Sequence, residues 1–381
     1  MGKFPQLATA TLMPKITLEK FISTSALTLL VTLFFLGGLG VELPLVYLLG
    51  IIVAILLLFL AVLKNGKIVF PKGALLYFLF LVLFAVSTFW SVDKKASLEY
   101  LLLFTSGLLI WISIYNLYSE VSYWFEKLVI IIGFIFGFLF VVNRFFGNPD
   151  LVRPWSLHLQ YTAYLNHKHI GDLWAVVLTI VAYKITRTNR IWYWLTVPPG
   201  IYLLLESQSR SAYVALAAGV SYFAVNRFAA KYKKILTLMI LVSAALFVIT
   251  GAAKPTILTR QYFIQGILGI IHNPFGIGAG NFGIISSDPE NWLFGLSHLS
   301  KVAHNIFLEI LAGMGIFGSV FIFWFLVVAK EVWAKKDNKN TVFGAVFFAI
   351  SANFFFDSTY FVPAMLWLWF GSLALSQHRN P

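Results

Sequence analysis

The chain has 381 residues, 60% of them hydrophobic and only 11% charged, with a mean hydropathy of +0.85. A soluble domain carries about a quarter charged residues, so this composition excludes an ordinary water-soluble fold. The formal charge of +13 does not point to nucleic acid, because a chain this apolar gathers Lys and Arg in cytoplasmic loops, and the absence of cysteine excludes disulfides, thiolate metal sites and a cysteine nucleophile.

Long apolar runs recur from end to end. They are continuous rather than alternating, which predicts an all-α membrane protein and excludes a β-barrel. The expected spans are 26–43, 45–63, 73–90, 98–115, 125–142, 170–183, 191–205, 211–225, 235–250, 304–329, 341–356 and 361–376, or about twelve transmembrane helices. Lys3, Lys15 and Lys20 precede a first span that is retained, not a removed signal peptide. Counting the even-numbered connections, the three lysines of the N-terminus and Arg379, 18 of the 28 basic residues then fall on one side, so both termini are expected in the cytoplasm. The whole of 1–381 reads as a single multi-pass domain with long outward loops at 143–169 and 251–303. Within the second loop, the apolar pattern of 257–271, opened by Lys254 and Pro255, predicts a helix lying along the membrane surface among its lipids.

Polar residues with chemical capacity cluster at the outward ends. The loop 143–169 contributes Arg153 and then NHKHIGD, with His167, Lys168, His169 and Asp172. HxH on a helix diverges by about 200° and no second ligand set follows. A polar tip touching a glycan or phosphate is the better reading, and Arg153 belongs with it. Next, Arg210 sits in SQSRSAYVALAAG, between two spans joined by a very short outward turn. It either snorkels to headgroups or clamps an anion beside Ser207, Gln208, Ser209 and Ser211 at a helix N-terminus. Arg260 lies on the expected surface helix with Tyr262 beside it.

The string PFGIGAGNF follows, with Gly276, Gly278 and Gly280 at alternate positions. It predicts a tight turn or backbone amides aimed at an anion. Finally, HNIFLEILAGMGIFG predicts a helix opening at His304, with Asn305 beside it and a ridge of small residues at Ala312, Gly315 and Gly318. His304 either caps that span at the interface or serves as a general base for a sugar hydroxyl. Glu309, about one turn inside, is expected to find a buried polar partner. No DxD-like carboxylate pair lies outside the membrane, so no metal site and no cofactor is expected.

HNIFLEILAGMGIFG and TRQYFIQGILGIIHNPFGIGAGNF together resemble the signature of the O-antigen ligase and O-antigen polymerase superfamily. SQSRSAYVALAAG and STFWSVDKKASLEYLL agree with it. The resemblance implies a fold of the metal-independent lipid-sugar transferase type. It also implies transfer of a glycan from undecaprenyl diphosphate to an acceptor hydroxyl on the outer face of the cytoplasmic membrane. Arg210 and Arg260 match the family's two essential arginines, and His304 its essential histidine. The implied acceptor is a lipid core, a second lipid-linked repeat or a protein hydroxyl. The absence of an extra recognition domain favours a lipid- or glycan-linked one. A transporter of similar span number would carry its polar groups in mid-membrane, whereas these lie at the outer ends.

Overall fold

The computed structural model describes residues 15–39, 43–146, 167–188, 190–227, 261–292, 299–334 and 340–378. Among them every regular element is helical. In chain order these are α1 (Lys15–Leu39), α2 (Leu43–Asn65), α3 (Ala74–Ser87), α4 (Lys94–Asn116) and α5 (Tyr118–Phe146). Then follow α6 (His167–Ile185), α7 (Ile191–Glu206), α8 (Arg210–Arg227), α9 (Gln261–His272) and α10 (Phe282–Ser287). The last are α11 (Ile306–Met314), α12 (Ser319–Ala334), α13 (Thr341–Phe354) and α14 (Pro363–Gln377).

Five helical segments are long and apolar enough to cross a membrane: Leu18–Gly38, Pro44–Asn65, Lys94–Asn116, Tyr118–Val142 and Ile306–Ala334. Ala74–Trp90, Phe263–His272 and Thr341–Phe354 are shorter apolar helices. The chain is a multi-pass membrane protein. Helices α6, α7, α8 and α14 coincide with the expected spans 170–183, 191–205, 211–225 and 361–376. The expected span 235–250 lies outside the described residues, as does the start of the expected surface helix. The connection expected at 143–169 is shorter than its sequence boundaries, because α5 runs on to Phe146 and α6 begins at His167.

The bundle is organised around α14. Every residue from Pro363 to Gln377 is buried, as expected of a helix that is apolar all round. It packs against α4, α13 and α1. Trp367 fills the space left by two glycines on neighbouring helices. A Cβ at Gly37 would come within 2.7 Å of its ring, and one at Gly50 within 2.4 Å. The two indoles of α14 both find acceptors: Trp367 Nε1 donates to Ser106 Oγ at 2.8 Å, and Trp369 Nε1 to Ser351 Oγ at 2.8 Å.

The two ends of the bundle differ in chemistry. At one end Lys64 pairs with Glu120 and Lys184 with Glu126, and Gln377 Nε2 donates to Lys72 O and Glu331 Oε2, both at 3.0 Å. The 23-residue α4 carries the chain about 35 Å to the opposite end. There the start of α4, the start of α6, the α7–α8 turn, the start of α11 and the α13–α14 turn converge. Those are the connections that carry the candidate site.

Candidate functional site

His304 does not open a helix. It stands two residues ahead of α11 with φ 49, in the left-handed region that a side chain bearing a Cβ enters at a cost of about 1–2 kcal/mol. Its neighbours hold it there. Asn305 is the N-cap, and its Oδ1 accepts from the backbone N–H groups of Phe307 at 2.9 Å and Leu308 at 3.0 Å. Its Nδ2 donates to Phe355 O at 3.0 Å. On the other side, Ala303 N–H donates to Glu309 Oε2 at 2.7 Å. That buried carboxylate also accepts from Tyr360 Oη at 3.2 Å and, through Oε1, from Tyr100 Oη at 3.3 Å. Glu309 thus has the buried polar partners its sequence position calls for, and they fix the chain on the approach to His304.

The imidazole faces a carboxylate. His304 Nδ1 lies 3.7 Å from Asp357 Oδ1, with the histidine side chain 27% exposed. Asp357 sits in the short turn between α13 and α14, where its Oδ1 accepts from Ser358 N–H at 2.6 Å. Its Oδ2 lies 2.8 Å from Ser211 Oγ, which donates to it. Burial pushes the Asp357 carboxyl up, but the His304 contact and the charges of His169 and His304 outweigh burial. They hold the group below the usual carboxylate range.

Ser211 brings in the α7–α8 turn. Its Oγ is 2.8 Å from Ser209 Oγ, and Ser209 Oγ donates to Asp172 Oδ1 at 3.0 Å. A chain of hydroxyls therefore links Asp172 on α6 to Asp357 and so to His304. Arg210, the first residue of α8, stands between the two serines with an exposed side chain. Gln208, just ahead of it, has φ 48. Among the described residues, Gln208 and His304 are the only non-glycine positions with left-handed φ. Such strain persists only where surroundings enforce it, and it concentrates at functional sites.

The glycine loop forms the wall behind α11. Gly276, Gly278 and Gly280 all have positive φ, so the tight turn is what their spacing encodes. The alternative of amides aimed at an anion does not hold for the first two: Gly278 N–H donates to Gly313 O at 2.8 Å, and Gly276 N–H to Asn273 O at 2.8 Å. A Cβ at Gly278 would come within 2.1 Å of Ser91 Oγ. Asn281 then ties the loop to the start of α4, its Oδ1 accepting from Asp93 N–H at 3.0 Å and its Nδ2 donating to Ser91 Oγ at 2.9 Å.

The expected span 304–329 corresponds to one stretch long and apolar enough to cross a membrane, Ile306–Ala334, but it is interrupted inside. Gly315 has φ 57 and ψ −139, a 3-10 turn follows over Gly315–Gly318, and Ile316 N–H donates to Pro274 O at 2.8 Å. The helix ends there because the loop 274–278 occupies its path. Ala312, Gly315 and Gly318 therefore do not form one continuous helical ridge.

The structure brings His304, Asn305, Ser209 and the backbone of Arg210 to one end of the bundle and links the first three through hydrogen bonds and neighbouring turns. Lys168 is exposed on the first turn of α6, next to buried His169. His167 opens α6 and Tyr262 lies in the first turn of α9. Arg260 and Arg153 lie outside the described residues. Among the described residues no group of three or more His, Asp or Glu is placed to hold a metal ion. Asp357 is the residue that sequence reasoning missed. Its signal was available: a lone carboxylate with two hydroxyl residues after it, in FFFDSTY between two apolar runs.

An open cleft of about 410 Å³ adjoins the histidine, with His304, Lys301, Ser286, Ser287 and Ser300 among the residues that line it. Residues 195–323 match the family model described as O-Antigen ligase. That match covers about a third of the chain and supports a relation to the O-antigen ligase and polymerase superfamily. This is a family of glycan-transferring enzymes with lipid-linked glycans and acceptors as partners. The matched segment spans Arg210, Arg260 and His304, whereas Asp357 lies beyond it. A search of the curated proteins returned no match.

Proposed function

We propose that the chain is a glycosyltransferase that moves a glycan from undecaprenyl diphosphate to an acceptor hydroxyl at the outer face of the cytoplasmic membrane. The observation that carries this reading is the His304–Asp357 pair. A strained, rigidly framed imidazole is backed by a carboxylate and open to a cleft, with an arginine turn on the other side of that carboxylate.

In this mechanism His304 takes the proton of the acceptor hydroxyl as the oxygen forms its bond to C1 of the donor sugar. Asp357 orients the imidazole and balances the positive charge it acquires. The C1–O bond to the diphosphate breaks on the opposite face, giving inversion, and the electron pair leaves with the lipid diphosphate. Arg210 and Arg260 bind that group and stabilise the charge growing on it. Gln208, Ser209, Tyr262 and the polar tip with Lys168, His167 and Arg153 contact the donor glycan or its phosphates, and Asn305 holds the base in register. No step draws on a metal ion.

The test is transfer by the purified protein from undecaprenyl-diphosphate glycan to lipid-core, lipid-linked-repeat and protein acceptors, with products sized on a gel. His304→Ala is expected to lower turnover by about 10²–10⁴-fold, the range of a general base. Transfer at the wild-type rate by that variant overturns the assignment. Activity abolished by a chelator and restored by a divalent cation overturns the metal-free step.

A further inference from the structure

We infer that the cleft beside His304 is the acceptor subsite, and that it takes a saccharide bearing an acidic group, phosphate or carboxylate, near the reacting hydroxyl. The inference rests on the transferase reading above and assigns its second substrate.

Geometry separates the two flanks of the site. His304 Nδ1 is turned to Asp357, whose other oxygen engages Ser211 next to Arg210. The same histidine forms part of the cleft wall. An inverting displacement needs the nucleophile and the leaving group on opposite faces of C1. With the diphosphate on the arginine flank, the acceptor enters from the cleft flank, where the base meets its hydroxyl. The volume of about 410 Å³ lies in the range of small-molecule sites, about 300–1,000 Å³.

The lining specifies the chemistry. Ser286 Oγ donates to Ser300 O at 2.7 Å, Ser287 Oγ to Gly283 O at 2.7 Å, and Ser300 Oγ to Val302 O at 2.6 Å. With their protons committed to backbone carbonyls, and with Ser286 Oγ and Ser300 Oγ each also accepting one backbone N–H, the three hydroxyls offer their remaining lone pairs to a ligand, which suits the O–H donors of a sugar. Among the described residues that line it, the wall has one lysine, Lys301, and no carboxylate. Among the described residues Lys301 makes no ion pair. A cation on a carboxylate-free wall favours an anionic ligand over a neutral one.

Gly283 supplies the means of testing this. A Cβ there meets nothing nearer than Lys301 Cα at 3.6 Å, an ordinary contact. Gly283→Ala is therefore the tolerated control, and Gly283→Leu fills the cleft. The first experiment is equilibrium binding of three probes to the full-length protein in detergent: a hexose phosphate, a hexuronate and the neutral hexose. Wild type is expected to bind the acidic probes better than the neutral one. Lys301→Gln should weaken the acidic probes about tenfold and leave the neutral one unchanged, and Gly283→Leu should weaken all three.

The phosphate and carboxylate arms distinguish the two sources of the charge. In transfer assays the same variants should raise acceptor KM and leave kcat at saturating acceptor within about twofold. Probe binding that is unchanged in both variants overturns the subsite, even with transfer intact. Cleft-dependent binding without transfer by wild type keeps the subsite and overturns the transferase reading.

Discussion

The two left-handed turns of the site are built in different ways. His304 is framed on every side: by the Asn305 cap, by Ala303 bound to Glu309, and by Asp357 across from its ring. The turn carrying Gln208 is held by hydroxyls at Ser207, Ser209 and Ser211, while Gln208 and Arg210 themselves project outward. One turn immobilises its functional side chain; the other immobilises the backbone and leaves a long cation at the surface. A base that must meet one hydroxyl needs a fixed ring. In the proposed mechanism the arginine that binds the leaving diphosphate is carried on that fixed backbone.

Substitutions can break this contrast. Arg210→Ala is expected to lower turnover by about 10²–10³-fold, the scale of losing one oxyanion-stabilising donor, and Arg210→Lys should recover only part of it. Single-turnover assays with equal donor occupancy check both. If lysine restores full turnover, the planar fork has no role. Asp357→Asn should lower turnover by about 10–100-fold, by releasing the orientation of the base. The same variant has a pH signature. The folded-state pKa of Asp357 lies below its ordinary value, so the carboxylate contributes stability above about pH 4, lost as pH falls further. Thermal unfolding across that range should show an acid-side loss in wild type that Asp357→Asn lacks.

The frame itself should be costly to remove. Glu309→Leu leaves Ala303 N–H and the Tyr100 and Tyr360 hydroxyls without their acceptor, which costs about 1–3 kcal/mol for an unsatisfied buried group. A lowered unfolding temperature in detergent would register it. Smallest of all, Gln208→Gly should relieve about 1 kcal/mol of backbone strain while lowering turnover only severalfold, through loss of one amide contact to the donor. Unchanged turnover there would remove the glutamine amide from the donor site.

The comparison also explains what was legible in the sequence. His304 and Arg210 stood out because they are polar groups at the ends of apolar runs, and the structure places both at the same end of the bundle. The exact start of α11 was readable too, since Asn followed by an apolar run is a helix N-cap, yet the histidine one residue earlier drew the boundary to itself. The glycines misled in a different way. Small residues spaced three apart describe both a close-packed helical face and a place where a helix stops, and only the loop 274–278 lying across Gly315 decides between them. Asp357 carried only the local cue of a carboxylate between two apolar runs; its partners, Ser211 and His304, lie 146 and 53 residues away in the chain, and no local spacing records such a meeting.

The break at Gly315 sets where His304 stands relative to the long apolar helix that follows it. Helix α11 has nine residues and rises about 13.5 Å, less than half of a hydrocarbon layer about 30 Å thick. It is therefore a short post, and the grip of Pro274 O on Ile316 and of Gly313 O on Gly278 fixes how far it stands out. The position of the histidine relative to α12 is governed by that grip rather than by the length of α12.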